Sequence, residues 1–348
     1  MRSAPLALSA FLLLLLPPGA EAQQGQYPQI DLGGRAQVQY AHSSIDGAEN
    51  DFFARRVRLR ADVAVNDWIS GRVQPEFAGG GAALQDAYVE LAFSEGLRLT
   101  IGQYKRPFDL FDLASSTNLS IIERDGRIEG LGGCPGVGSV CTHQRLLESL
   151  LLAGRDQGVM LEGEAGRIGY SAMLSNGEGA NTSDVNDSKS FSSRVAVMAS
   201  EDLTIAGKLA VHDYLESPTE TSQAMAFGVD AEWGTWRDGF HAQLSLVSGE
   251  NWRSPDTFGD PVTFQAFEGW ASFYQPLDGA RVVGVEPLLR IGYADANTDG
   301  VDDAGLLFTP GLMFYFGGRN KFGANVDVYS PESGSSEYSL KLQTYLYF

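Results

Sequence analysis

The sequence is poor in several things that other protein classes need. It has 2 cysteines and 4 histidines in 348 residues, too few for a disulfide-stapled scaffold or a cysteine–histidine metal framework. Cys134 and Cys141 share one Gly-rich stretch. In an oxidising compartment they read as a short loop disulfide, with a free or metal-binding pair as the alternative. Positive charge is also scarce, with 25 Lys and Arg against 44 Asp and Glu and a formal charge of -19. This balance argues against nucleic acid and anionic lipid surfaces as partners. It constrains a pore less, because acids in outer loops and basic residues in a bore can coexist. Finally, no apolar run beyond the first residues approaches the roughly 20 that a membrane helix needs. That leaves a soluble secreted protein or a membrane β-barrel.

What is present favours the barrel. Arg2, the apolar run from Phe11 to Leu16 and Ala20-Glu21-Ala22 have the order of an export signal, so residues 1–22 are expected to be a cleaved signal peptide and 23–348 a single domain. Apolar and polar residues then alternate from Ile30 to the end. About sixteen segments keep that period of two, separated by Gly, Asn, Asp, Ser and Pro clusters. They lie near 30–40, 52–65, 69–78, 84–94, 96–104, 155–163, 167–175, 190–199, 203–213, 224–235, 239–248, 263–274, 282–294, 304–316, 320–329 and 336–348.

Connections after even-numbered segments are tight, as at Asn66-Asp67-Trp68, Ser94-Glu95, Glu201-Asp202 and Gly317-Gly318-Arg319. Those after odd-numbered segments are mostly long and polar: 41–51, 105–154, 176–189, 214–223, 249–262 and 295–303. Short turns on one rim and long loops on the other mark a transmembrane barrel, and a soluble sandwich has no reason to sort its loops by parity. The expected fold is therefore all-β, a transmembrane antiparallel barrel of about 16 strands. Trp68, Trp233, Trp236, Tyr293 and Tyr315 flank turns and are expected in interfacial girdles.

One connection stands apart. Residues 105–154 have no sustained period of two and far exceed an ordinary turn. They are expected to form a constriction loop folded into the bore, carrying Lys105, Arg106, Glu123, Arg124 and Arg127 either into the constriction or to water, with Lys105 as the pore-facing cation.

The run from Phe52 to Val65 carries the most information. Val57, Leu59, Ala61, Val63 and Val65 share one face, so Arg56, Arg58, Arg60 and Asp62 take the other. Charges on the lipid side would cost roughly 2–4 kcal/mol each near the midplane, so the arginines are expected to face the lumen. The same parity turns Arg35, Arg72 and Arg98 inward. A file of guanidinium groups offers successive sites for an anion, and arginine binds oxyanions through two nitrogens at once. The inward acids Asp31, Asp62, Glu76, Asp86 and Glu90 are the counterweight, since pairing would cancel the field. Other lumenal positions are mixed, with Arg194, Lys208, Arg290, Lys321 and Lys341 against Asp230, Glu232, Glu286 and Asp327.

No catalytic constellation stands out, and no enzyme is expected. His42 and His143 fall in expected loops, while His212 and His241 fall on segments. His241 has inward parity, so it cannot serve a lipid-side hydrolase site. Residues Asp295 to Asp303 have the acid spacing of a calcium loop without its closing Glu. They read as a solvated hairpin loop where casual Ca²⁺ is the most to expect, and no cofactor is anticipated.

Several stretches resemble, in order and spacing, the phosphate-selective porin O and P family. They are Asp86-Ala87-Tyr88-Val89-Glu90-Leu91, Gly102-Gln103-Tyr104-Lys105-Arg106-Pro107-Phe108, Ser115-Ser116, Ile122-Glu123-Arg124, Gly154 to Leu161 and Phe191 to Val195. The resemblance implies a sixteen-stranded bacterial outer-membrane porin, usually a homotrimer, with the third long loop folded inward and a basic pathway to an anion site. It implies that Arg55, Arg56, Arg58 and Arg60 belong to the basic ladder and that Lys105 adjoins the constriction. The chain departs from the family in its acidity and in a Gly-rich insertion from Leu131 to Cys141.

The functional expectation is passive diffusion of small anions, phosphate or polyphosphate among them, through a pore in a lipid and lipopolysaccharide membrane. A general or weakly cation-selective porin, or a non-conducting surface receptor or adhesin, is the alternative.

Overall fold

The computed structural model describes residues 27–348 apart from 49, 135–138, 218–219 and 256–259. The expected signal peptide lies outside the described residues. The strands in chain order are β1 (Gln29–Ser43), β2 (Asp51–Ala64), β3 (Ile69–Glu76), β4 (Ala83–Ser94), β5 (Leu97–Lys105), β6 (Arg155–Ala165), β7 (Ile168–Ser175) and β8 (Ser190–Met198). They continue with β9 (Leu203–Ser217), β10 (Glu220–Thr235), β11 (Asp238–Pro255), β12 (Pro261–Phe273), β13 (Gly284–Asp295), β14 (Ala304–Gly317), β15 (Asn320–Pro331) and β16 (Glu337–Tyr347). A short continuation of β12 at Gln275–Pro276 also pairs with β13. Two short helices, α1 (Leu110–Leu113) and α2 (His143–Ser149), lie in the loop between β5 and β6.

All neighbouring strands are antiparallel, and β1 pairs with both β2 and β16, so the sheet closes into a sixteen-stranded barrel. Closure is required in lipid, where no water can satisfy an open sheet edge. At the seam Arg35 lies opposite Tyr347 on one side and Arg58 on the other. The backbone of Phe348 bonds Gly34 in both directions, at 2.8 and 3.1 Å. A Cβ on residue 34 would sit 2.4 Å from the Phe348 ring, so only glycine lets the C-terminal aromatic close against the wall.

The period of two becomes an outward apolar band. Leu59, Val73, Val89, Ile101, Val229 and Leu246 are exposed on the outside, while their sequence neighbours turn inward. In β16, Ser339, Lys341, Gln343 and Tyr345 are buried inside, and Leu346 is exposed outside.

Several expectations need correction. The described residues of 214–223 and 249–262 are largely strand, because β9, β10 and β11 run 15, 16 and 18 residues. A membrane strand needs only about 9–11, so these strands continue past the bilayer on the long-loop side. His42 belongs to β1 and not to a loop. Among the girdle candidates, Trp68 and Trp233 are exposed and Tyr293 stacks on Phe267. Tyr315 is fully buried inside, however, packed with Trp236 beneath the loop.

The largest correction concerns the lumen. Inward positions on β9 to β14 include Ala210, Ala226, Val247, Phe264, Ala266, Leu288 and Met313, which are apolar and buried. They are covered by the 106–154 loop: Phe108, Leu146, Leu147 and Leu150 pack on one set, and Leu119, Ile121 and Ile122 on another. On that wall, facing inward does not mean facing water.

Candidate functional site

The loop runs along one side of the interior and leaves the other side open. Its backbone polar groups cannot be buried unpaired, and the inward polar side chains of the covered wall pair with them. Arg290 donates to the carbonyls of Glu123 and Arg124 at 3.0 and 2.7 Å, Lys341 to that of Arg127 at 2.6 Å, and Lys321 to that of Leu119. Asn325 Oδ1 accepts from the Ile122 N–H at 3.0 Å, and Tyr329 Oη from the Cys141 N–H at 2.9 Å. These wall residues also pair among themselves: Asp327 takes both Arg290 (2.7 Å) and Lys341 (2.6 Å), and Asp230 takes Arg194. Sequence parity made them lumenal, but Arg290, Lys321, Lys341, Asn325 and Tyr329 are buried loop anchors.

The base of the loop is fixed twice. Arg106 is buried, donating to the Ala153 carbonyl at 3.0 Å and to Asp156 at 2.7 Å, so it clamps the loop's two ends and does not face the bore. Asp109 accepts from Lys208 Nζ and Ser245 Oγ, both at 2.9 Å, and caps α1 through the Asp112 N–H at 3.2 Å. Burial works to raise the Asp109 carboxyl, but Lys208 and His143 outweigh it and hold the group below the ordinary carboxylate range. Burial pushes His143 down to about 4, so its ring is neutral at pH 7, with Nε2 3.1 Å from Ser245 Oγ. At the far end of the loop Cys134 and Cys141 form a disulfide.

The open side is a water-accessible cavity of about 770 Å³ against β1 to β6. Its wall includes Arg35, Arg55, Arg56, Arg58, Arg60, Arg72, Lys105, Arg124, Arg155 and Arg319, opposed by Asp86, Glu90, Asp112, Glu148 and Glu162, ten basic groups against five acidic. Arg55 and Arg56 both point in because the pairing shifts between Gln37 and Val38, leaving Arg55 as the extra residue of a bulge. Strict alternation sends adjacent residues to opposite faces, and a bulge is the one device that does not.

Pairing is uneven along this wall. Arg60 meets Asp31 and Asp62, both at 2.8 Å, Arg72 meets Asp62 at 2.6 Å, Arg58 meets Glu76, and Arg155 meets Asp86 at 2.7 Å. Arg98 meets Glu162 at 3.6 Å and is not part of the cavity wall. Arg55 and Arg56 reach down to Glu123 on the loop, Arg56 at 3.4 Å. Burial works to raise that carboxyl too, but the two arginines hold it low and ionised. Among the described residues four cations of the wall meet no carboxylate, the exposed Arg319 being one of them. Arg35 contacts Gln74 at 3.4 Å, Lys105 donates to the carbonyls of Asp112 and Ala114, and Arg124 donates to those of Phe111 and Ala114. Arg127 pairs with Asp125 at 2.8 Å, away from the cavity.

Parity alone found Arg35, Arg56, Arg58, Arg60 and Arg72. Missed were Arg155, whose position after the long loop hid its face, and Glu148 on α2. Among the described residues no three His, Cys, Asp or Glu gather as a metal site. The arrangement can draw in a small anion and hand it between guanidinium groups.

Comparison with known proteins agrees with this architecture. The model of the phosphate-selective porin O and P family matches residues 29–208. No curated protein matches the sequence. Among solved structures, the anion-selective porin from Comamonas acidovorans superimposes with a TM-score of 0.65 at 13% identity, over 92% of this chain and 100% of that one. A loop-deletion mutant of OmpT, an outer membrane protein of Vibrio cholerae, gives 0.63 at 12% identity over 93% and 100%. The outer membrane channel DcaP of Acinetobacter baumannii gives 0.61 at 11% identity over 92% and 97%. At such identities these likenesses concern the fold.

Proposed function

This chain belongs to the phosphate-selective porin O and P family, and from that premise we propose that its outer-membrane channel passes small anions by passive diffusion, with phosphate or polyphosphate favoured. The observation that carries the proposal is the cavity wall, where ten basic groups face five acidic ones. Among the described residues Arg35, Lys105, Arg124 and Arg319 are the wall cations that meet no carboxylate. Successive guanidiniums let an anion bind at each step without being trapped, which conduction needs. Arginine suits phosphate because two parallel N–H bonds match two oxygens.

A homotrimer is the assembly that the family reading favours; one related structure is a trimer form of the Vibrio cholerae OmpT protein. The test is the zero-current potential in a planar lipid bilayer under a salt gradient. Anion preference is expected, reduced in Arg56→Ala and Arg58→Ala. Cation preference that those substitutions leave unaltered refutes the proposal.

A further inference from the structure

We propose that Arg319, at the turn-side mouth of the bore, is the cation that draws anions in from that side, and that Arg237 is the positioning residue that holds it there; this rests on the anion-channel reading above.

The connection between β14 and β15 is Gly318-Arg319. Arg319 is exposed and lines the cavity together with Gly318, Asn320, Tyr347 and Phe348. It stands at the turn-side end, where the other cations of the wall are already matched: Arg60 by Asp31 and Asp62, and Arg72 by Asp62. Glu90 lies beside those pairs. Among the described residues Arg319 is thus the one wall cation of this mouth that meets no carboxylate. An anion crossing the mouth meets paired charges and an acid on the β1 to β4 side, and an open guanidinium on the other.

The turn itself does little to fix that guanidinium. Gly317 and Gly318 have φ of +131° and +54°, and a Cβ on either would touch nothing within 4 Å. Two unpacked glycines leave the backbone much freedom to lose. Two bonds from outside the hairpin hold it. Asn320 accepts the Tyr347 N–H at 2.8 Å, and the Gly318 carbonyl accepts from Arg237 Nη1 at 2.5 Å.

Arg237 comes from the turn between β10 and β11. Along the rim the two turns are four strand spacings apart, about 19 Å, so the bond requires the β10–β11 turn to lean under the barrel. Trp236 shows that it does, packing inside against Tyr315 with ring centroids 6.2 Å apart. Arg237 has φ of +65°, a conformation uncommon outside glycine. Its guanidinium lies over the rings of Tyr315, Tyr274 and Trp236, at 4.6, 5.3 and 5.5 Å. Three ring faces seat one cation, and Arg237 is not part of the cavity wall. Its connection to the bore runs through the Gly318 carbonyl, one residue before Arg319.

An exposed charge about 5 Å from a passing anion raises the local anion concentration about twofold at about 0.1 M salt, and hardly at all at about 1 M. Entry and release share the mouth, so the same charge acts on anions that leave there.

The experiment records chloride current through single channels in a planar bilayer at both polarities, in about 0.1 M and about 1 M KCl. Arg319→Gln is expected to lower the current about twofold at the polarity that draws anions in through the turn-side mouth, in the dilute salt only, with the other polarity unchanged. Arg237→Met still covers the rings but has no N–H for Gly318. It is expected to show the same one-sided, salt-sensitive fall, and the double variant no more than either alone. Arg237→Ala is the second variant, with the same expectation. Equal currents in Arg319→Gln and the parent at both polarities overturn the role of Arg319. Parent-like currents in the Arg237 variants, a fall that persists in the concentrated salt, or one that adds to that of Arg319→Gln, overturn the positioning role. A cation-selective parent channel overturns the anion reading on which both rest.

Discussion

Replacing Asp109 by Ala is expected to loosen the first part of the constriction loop without releasing the whole of it. The side chains of Asp109 and Lys208 are both 0% exposed and lie 2.9 Å apart. Removing one partner of such a pair costs about 3–5 kcal/mol, because the other charge is left buried. The lost cap on α1 adds about 1 kcal/mol. Asp230 lies 3.7 Å from Lys208 and recovers part of this, so a net figure of about 3 kcal/mol is reasonable, or roughly a hundredfold in local opening. The loop's other anchors, Arg290 on the Glu123 and Arg124 carbonyls and the Leu119, Ile121 and Ile122 cluster, are untouched. Single-channel recording should therefore show flicker between the normal level and a more conducting one. The same reasoning makes Asp109→Ala with Lys208→Met more stable than Asp109→Ala alone, since the stranded ammonium is gone. Unfolding followed by loss of the compact gel mobility measures that. Quiet current in the single variant, or a double variant no more stable than the single one, would refute the reasoning.

Other consequences follow from the pairing pattern. Arg35→Gln should shift the zero-current potential toward cations more than Arg60→Gln, because among the described residues Arg35 hydrogen-bonds Gln74 and meets no carboxylate whereas Arg60 is already matched by Asp31 and Asp62; equal shifts would show that pairing does not govern the field. Stability should fall as pH drops from about 6.5 to about 4, since His143 binds a proton unfolded at the higher value but folded only near the lower. That window is worth on the order of 3 kcal/mol and should flatten in His143→Gln. Below about pH 4 a second loss is expected from Asp109, whose depressed carboxyl stabilises the fold above the ordinary carboxylate range and ceases to do so as it protonates. A stability curve level from neutrality to pH 4 would count against the buried neutral His143.

Much of this was legible from spacing. The run at Arg56, Arg58 and Arg60 announced its face because Val57, Leu59 and Ala61 lay between. The sorting of loops by parity announced closure before any strand pairing was known. Arg55 was not legible from alternation, since a bulge is a local slip in register. Lys105 ends β5 and Arg106 begins the loop, yet Arg106 clamps a buried carboxylate and Lys105 borders the cavity. Lys208, Arg290 and Lys341 read as lumenal, but nothing local says that a loop more than fifty residues away in the chain will cover them.

The sequence by itself determined the barrel, its strand order, the lipid-facing band and the arginine-rich strands, because a two-residue period and turn chemistry act between near neighbours. Only the tertiary structure decided which inward charges meet water. That depends on where the loop lies, and the loop lies against β9 to β14 because the apolar inward residues there bury its own apolar side chains. With that wall dry, the remaining water runs past β1 to β6, where the arginines stand.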